Sequence, residues 1–258
     1  MRILILGAGK MGSFFSDLLS FDHQVAMYDT DARKLRFTYN VERFSSLDEV
    51  DAFNPDLVIN AATVRYTIEA FKAVTPHLNN PHCILSDIAS VKTGLPEYYA
   101  NCGFEFSSTH PMFGPTFASL SNLANENAII ITEGSEKGKQ FFLELYNRLG
   151  LHIEHYSFEQ HDITIAYSLS IPFAATLAFA SVMKHQDAPG TTFKRHHQIA
   201  LGLMSEDDYL LSEILFNPHT ASRLNGICES LERLKEIVEQ RDPEAMKQYL
   251  HLVRENLK

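Results

Sequence analysis

The sequence predicts an α/β fold, a doubly wound parallel sheet followed by an all-helical C-terminal domain. Three observations predict it. Short apolar runs alternate with amphipathic segments up to about residue 155, the pattern of βα units in a parallel sheet. The pattern Gly7-x-Gly9-x-x-Gly12 stands between the first run and the first amphipathic segment. Beyond Tyr156 the strand-like runs stop and long helical patterns replace them. These place a nucleotide-binding domain at 1–155 and a helical substrate and dimerisation domain at 156–258.

In chain order, Arg2–Leu6 is an apolar strand and Met11–Ser20 an amphipathic helix with Phe14, Phe15, Leu18 and Leu19 on one side. Gln24–Asp29 reads as a strand ending in an acid, and Leu57–Asn60 as another after Asn54-Pro55. Tyr66–Val74 is helical, stopped by Pro76. Cys83–Asp87 and Phe104–Ser108 are strands on either side of a helix at Thr93–Asn101. Ala128–Thr132 is a β-branched strand, Glu136–Leu149 a helix ended by Gly150, and His152–Tyr156 the last strand. Ser157-Phe-Glu-Gln160 is a capping box opening a long apolar helix to about Met183, kinked at Pro172. Thr192–Met204, Glu206–Phe216 and Ala221–Gln240 are helical, and Asp242-Pro243 caps a last helix to Leu257.

The chain has 258 residues, 45% hydrophobic and 21% charged, which suits a globular protein with real cores. No apolar run reads as long enough to span a bilayer. The opening Met1–Gly7 runs into glycines with no small-residue cleavage site, so it reads as a strand and not a signal peptide. Cys83, Cys102 and Cys228 are odd in number and widely spaced. They suit a reducing, cytoplasmic compartment and give neither a disulfide framework nor a metal site. A formal net charge of −10 argues against nucleic-acid binding and obliges an anionic ligand to find a local basic pocket. A small-molecule substrate and a second copy of the chain, met through the apolar Phe158–Met183 helix, are the expected partners, with no membrane.

Gly7, Ala8, Gly9, Lys10, Met11 and Gly12 form the turn of a Rossmann-type dinucleotide site. Gly7 allows the tight turn, Gly9 lets the backbone approach a pyrophosphate, and Gly12 lets helix and strand close together. Asp29 lies 22 residues after Gly7, the spacing of the carboxylate that binds the adenosine ribose. That acid favours NAD over NADP, and Arg33 and Lys34 read as solvated charges. Ala61 and Ala62, small residues after a strand, leave room for a nicotinamide or are, equally, plain loop geometry. Further on, Ser90, Lys92 and His110 follow two apolar runs. If these runs are neighbouring parallel strands, a hydroxyl, a cation and an imidazole converge at the carboxyl edge of the sheet, where such sheets bind ligands. His110 is the candidate proton acceptor near neutral pH. Ser90 is its candidate partner or, equally, a turn serine, and Lys92 is an anion binder or an exposed lysine.

In this order, Gly7–Gly12, Asp87-Ile-Ala-Ser-Val-Lys92, Thr109-His-Pro-Met-Phe-Gly-Pro115 and Gln160-His-Asp162 resemble the prephenate/arogenate dehydrogenase family. The resemblance covers the α/β domain well and the helical domain loosely. It implies oxidative decarboxylation of a cyclohexadienol: C4 gives a hydride to NAD, a histidine takes the C4 hydroxyl proton, and the ring carboxylate leaves as CO₂. In that scheme His110 is the general base, Ser90 hydrogen-bonds it, and Lys92 and Thr109 lie toward the substrate. The product is 4-hydroxyphenylpyruvate, for tyrosine synthesis.

The helical domain departs from the family pattern. Leu169-Ser-Ile-Pro-Phe173 stands where many members have Ser-His-Leu-Pro-His, and Gln198 stands where many have a carboxylate-binding arginine. Arg195 is three residues earlier on the same helix face, and with Lys194, His196 and His197 it forms the densest basic patch of the chain. Arg195, His197 and Gln198 are the expected substrate-binding residues of this domain, with Arg195 in place of the missing arginine, or the segment is, equally, a solvated basic turn. Prephenate is expected over arogenate because Thr116–Asn122 holds no acid to pair an ammonium. Arogenate, another small carboxylate substrate, or an NAD sensor without turnover are the rival expectations.

Overall fold

The computed structural model describes residues 1–36, 40–113 and 123–258. The chain divides into two compact units, Met1–Asp162 with Asp208–Glu213, and Ile163–Asp207 with Ile214–Lys258.

The first unit is built on β1 (Arg2–Leu6), β2 (Gln24–Tyr28), β3 (Glu42–Phe44), β4 (Leu57–Asn60), β5 (Ile84–Asp87), β6 (Glu105–Pro111), β7 (Asn127–Ile131) and β8 (His152–Tyr156). They form one sheet in the order β3-β2-β1-β4-β5-β6-β7-β8. Central strands such as β4 and β5 are buried on both faces, as continuous apolar runs in a sheet covered on two sides must be. One face carries Ile3, Ile5, Phe15, Leu57 and Phe142, and the other Leu4, Phe71, Val58 and Leu85.

Two strands depart from expectation. The three-residue β3, reading Glu-Arg-Phe, extends the sheet on the β2 side. β7 runs antiparallel to β6, pairing His110 with Ile129, while every other pair is parallel. The sheet is therefore mostly parallel. The expected neighbourhood of the two key strands holds, with β5 parallel to β6 and Asp87 opposite Ser108. β6 also runs further than predicted, so His110 sits within the strand.

The helices of this unit are α1 (Lys10–Leu19), α2 (Ala32–Leu35), α3 (Glu49–Phe53), α4 (Thr67–Val74), α5 (Leu95–Asn101) and α6 (Glu136–Leu149). After β8, α7 (Phe158–Ile165) opens on the predicted capping box. Gln160 N donates to Ser157 Oγ at 3.1 Å, and Ser157 N donates to Gln160 Oε1 at 2.9 Å.

α7 continues through a π-helical turn, Ala166–Ser170, into α8 (Ile171–Ser181). Pro172 stands in the first turn of α8, where its missing N–H is tolerated. Phe158–Ser181 is thereby one helix of 24 residues, long and apolar enough by length and composition to cross a membrane. This corrects the sequence reading. Hydroxyl residues and Pro172 interrupt the apolar string on paper, but the helix absorbs them: Ser168 Oγ bonds the Thr164 carbonyl and Ser170 Oγ the Ile214 carbonyl. In the second unit α8 packs on α9 (Thr191–Leu203) and α11 (Thr220–Gln240), and α11 on α12 (Pro243–Asn256). α10 (Asp208–Leu215) spans the last boundary between units. As predicted, Asp242 caps α12, accepting from Glu244 N and Ala245 N.

Candidate active site

At the amino end of the site, β1 feeds a turn whose glycines do different jobs. Gly7 has φ +98°, and a Cβ there would stand 2.8 Å from the Ala61 carbonyl oxygen. A Cβ on Gly12 would stand 1.9 Å from the Gly7 carbonyl oxygen, so only glycine lets α1 close on the turn. Gly9 is the N-cap of α1 with φ −76° and ψ −174°, a conformation open to any residue, and nothing lies within 4 Å of a Cβ placed on it. The fold does not need a glycine there, and a ligand approaching the helix amino end does.

Asp29, just after β2, ties this turn in place. Its Oδ2 accepts from Ala8 N at 2.7 Å and its Oδ1 from Asp31 N at 2.8 Å. Lys34 Nζ lies 3.6 Å from Oδ2, and Arg33 is engaged twice by Asp31, at 2.8 and 2.9 Å. Each Asp29 oxygen retains a lone pair for a ribose hydroxyl. Lys10 is exposed, and Met11 packs against the core edge. Ala61 and Ala62 follow β4, held by Asn60, whose Oδ1 accepts from Ala62 N and whose Nδ2 donates to the Thr67 carbonyl. The open cradle at Gly9, the α1 amino end and the Asp29 carboxylate together fit a dinucleotide.

At the end of β5 and β6 the material is different. Asp87 and Lys92 are both buried and paired, Lys92 Nζ to Asp87 Oδ1 at 2.5 Å. Lys92 Nζ also donates to the Thr109 carbonyl at 2.8 Å. Asp87 Oδ2 accepts from the Tyr99 hydroxyl at 2.7 Å, and Oδ1 from Ala89 N at 3.0 Å. Burial pulls the Lys92 pKa down and the Asp87 carboxylate opposes it. Burial first, and then Asp87, pushes the Tyr99 hydroxyl well above its ordinary value. The Thr109 hydroxyl meets the Tyr146 hydroxyl at 2.8 Å.

His110 lies above this network, 5% exposed. Its Nδ1 is 3.0 Å from Nε2 of His161, the residue that follows the capping box of α7. His161 is fully buried, and its Nδ1 is 3.0 Å from Asp162 Oδ1. Burial, the neighbouring His161 and the Lys92 ammonium hold His110 well below its ordinary pKa. Burial and Lys92 bring His161 down to about 3, against the opposing pull of Asp87. Both rings are therefore neutral near pH 7. No hydrogen bond to His110 Nε2 occurs among the described residues.

Several site expectations are corrected here. Lys92 is neither an exposed lysine nor directed at a ligand, since its ammonium is buried between Asp87 and the Thr109 carbonyl. Thr109 does not offer its hydroxyl to a substrate, because that hydroxyl is fully buried against Tyr146. Ser90 lies half-buried on the turn after β5, and no hydrogen bond joins it to His110 among the described residues. The partner of His110 is His161, to which the sequence assigned no role. Two signals were available: the Gln160-His-Asp162 match, and the capping box, which fixes the residue after Gln160 in the first turns of a helix that leaves the last strand of the sheet. Gly114–Asn122, which include the end of the His-Pro motif and the segment without acids, lie outside the described residues.

In the second unit, Arg195, His197 and Gln198 are exposed on α9, with Lys194 and His196 between and beside them. Phe179 of α8 packs against Phe193 and the His196 ring, at 6.4 and 5.2 Å between centroids. Among the described residues no group of three His, Cys, Asp or Glu is arranged to hold a metal ion.

The family model for the nucleotide-binding domain of prephenate dehydrogenase matches residues 15–152, just over half of the chain. The probable arogenate/prephenate dehydrogenase of Methanocaldococcus jannaschii is 26% identical over 266 residues, covering 93% of this chain and 57% of that protein. The chain spans about half the length, or less, of the curated relatives it matches. The crystal structure of prephenate dehydrogenase from Aquifex aeolicus is 25% identical, with a TM-score of 0.82 and 98% of each chain covered. A second structure of the A. aeolicus enzyme, in complex with hydroxyphenyl propionate and NAD+, superposes with a TM-score of 0.83 at 24% identity over 99% of this chain and 96% of that one.

Proposed function

The chain belongs to the prephenate dehydrogenase family, and from that premise we propose that it is an NAD-dependent dehydrogenase converting prephenate to 4-hydroxyphenylpyruvate. The carrying observation is His110, a buried, neutral imidazole with one nitrogen engaged and no bond to the other among the described residues. Such a group accepts a hydroxyl proton without first having to lose one of its own.

Gly7–Gly12 and Asp29 would hold NAD, which would supply the acceptor for the C4 hydride. His110 takes the proton of the C4 hydroxyl as the C4 hydride departs, leaving a ketone. The bond from the ring to its carboxylate then breaks, CO₂ leaves, and the electron pair of that bond enters the ring. The ring becomes aromatic, and the phenolate oxygen recovers the proton. The chain's own work is proton removal and alignment. NAD is preferred to NADP because Asp29 repels a 2′-phosphate and Arg33 is occupied by Asp31. The A. aeolicus neighbour binds NAD+ and a phenolic acid, ligands of the class assigned to this chain.

Prephenate is preferred to arogenate because Thr116–Asn122 offers no carboxylate for an ammonium. Arg195, with His197 and Gln198 beside it, is the proposed ligand for a substrate carboxylate, as the exposed guanidinium at the family's carboxylate-binding segment. The protein acts in the cytoplasm as a homodimer. Support for the dimer comes from the Phe158–Ser181 helix, which carries an apolar stretch of 18 residues of which only 17% is buried. A second copy covers it at least cost to an acidic chain with a polar remainder.

The test is NADH formation followed by absorbance, with prephenate and then arogenate. Turnover of prephenate is expected; turnover of arogenate alone reassigns the substrate, and turnover of neither removes the proposal. Light scattering at micromolar concentration is expected to give a dimer, and a monomer contradicts that part.

A further inference from the structure

Three groups stand in a row at the end of β6: His110, His161 and Asp162, joined by contacts of 3.0 Å each, Nδ1 to Nε2 and Nδ1 to Oδ1. The hydrogens of this row follow by elimination. A carboxylate only accepts, so His161 Nδ1 carries a hydrogen. His161 is held neutral near pH 7, so its Nε2 is bare. A bare nitrogen also only accepts, so His110 Nδ1 carries a hydrogen. His110 is neutral as well, which leaves the lone pair on its Nε2.

We infer that His161 and Asp162 are positioning residues that hold His110 in its Nδ1–H tautomer and thereby present Nε2 as the proton-accepting atom. The inference rests on the reading of His110 as the base. Removing His161 would free the ring to rotate and to place its hydrogen on Nε2, where it could donate to a substrate hydroxyl but not deprotonate it.

The surroundings are built to hold the row. Ser157 and Gln160 cap α7 reciprocally, and Phe158 N donates to Glu133 Oε1 at 3.0 Å, just past β7. The Phe158 ring stacks on Phe106 of β6 at 6.2 Å. The helix turn bearing His161 is thus anchored to the strand bearing His110. Asp162, next along the helix, has a side chain 29% exposed, so the carboxylate end of the row reaches solvent while the two rings are buried.

Nitrogen-15 NMR of the full chain with labelled histidine reads the tautomer directly, with the His110 signals assigned by their loss in His110→Asn. The expected result in the unliganded protein is a protonated Nδ1 and a bare Nε2. In His161→Leu both tautomers are expected, with kcat reduced about 100-fold and KM within about threefold, the split for an interaction that matters after substrate has bound. In His161→Gln the side-chain amide oxygen stands near the place of Nε2, and the Nδ1–H tautomer and most of kcat are expected to return. A wild-type His110 carrying its hydrogen on Nε2 overturns the inference. So does a folded His161→Leu protein with unchanged tautomer and kcat. The NMR result needs no substrate, so failure of prephenate turnover and failure of the positioning role are seen separately.

Discussion

At the glycine turn the working parts are backbone N–H groups and open space, whereas at the end of β6 they are buried side chains bonded to one another. Gly9 has nothing within 4 Å of a virtual Cβ, and Asp29 braces the turn through main-chain donors. Asp87, Lys92, Tyr99, Thr109 and Tyr146 fill the second region with a connected, fully buried network under His110. The difference fits the chemistry proposed for each end. A dinucleotide brings its own charge and needs a cradle. A proton acceptor needs one atom in one protonation state, which only a low-dielectric, pre-bonded surrounding maintains.

The comparison breaks most visibly at His110. His110→Asn is expected to lower kcat by about 10²–10⁴-fold, the range for a lost general base, with NAD affinity by calorimetry unchanged. A loss of only a few-fold would remove the proton-handling role from the β6 end. Next, Lys92→Met is expected to cost about 3–5 kcal/mol in urea denaturation, because it strands the buried Asp87 carboxylate. A surface lysine would cost under about 0.5 kcal/mol, so the measurement separates the two descriptions of Lys92.

The glycines sharpen the other side. Gly12→Ala is expected to destabilise by about 1–3 kcal/mol or more, since its Cβ would meet the Gly7 carbonyl. Gly9→Ala is expected to change stability by less than about 1 kcal/mol, its φ being open to alanine, and to weaken NAD binding about tenfold or more. Equal stability losses in the two variants would mean that the turn has no space reserved for a ligand.

The smallest effect is on stability against pH. His161 has a native pKa of about 3 against 6.5 for the unfolded chain, depressed by burial and Lys92 and partly restored by Asp87. Below pH 6.5 the unfolded chain binds a proton that the native state refuses, so stability is complete above 6.5 and is lost as pH falls toward 3. Between pH 6.5 and 5.5 the loss is about 1 kcal/mol per histidine so held, and His161→Gln removes that share. The chain has no tryptophan, so circular dichroism is the suitable probe. A melting temperature equally pH-dependent in wild type and variant would show that His161 is already charged in the native state.

By itself the sequence determined whatever is encoded within a short stretch. The glycine turn, the Asp29 spacing, the capping box of α7, the Asp242 cap and the buried central strands are all local patterns, set by backbone sterics and side-chain periodicity. It also determined the family resemblance, because those motifs recur in fixed order. Two elements escaped for physical reasons. β3 has three residues with two charges, too short and too polar for a period-2 signal. β7 runs antiparallel to β6, and strand direction is a matter of pairing in space that a run of apolar residues does not encode. Only the tertiary structure decided the side-chain partners. Lys92 meets the carbonyl of Thr109, 17 residues on, and His110 meets His161, 51 residues on. Burial of an ammonium or pairing of two imidazoles is a property of what surrounds them in space, and separations of that size leave no periodicity in the chain. The same holds for the apolar flank of Phe158–Ser181: its composition is plain in the sequence, and how little of it the chain itself covers is not.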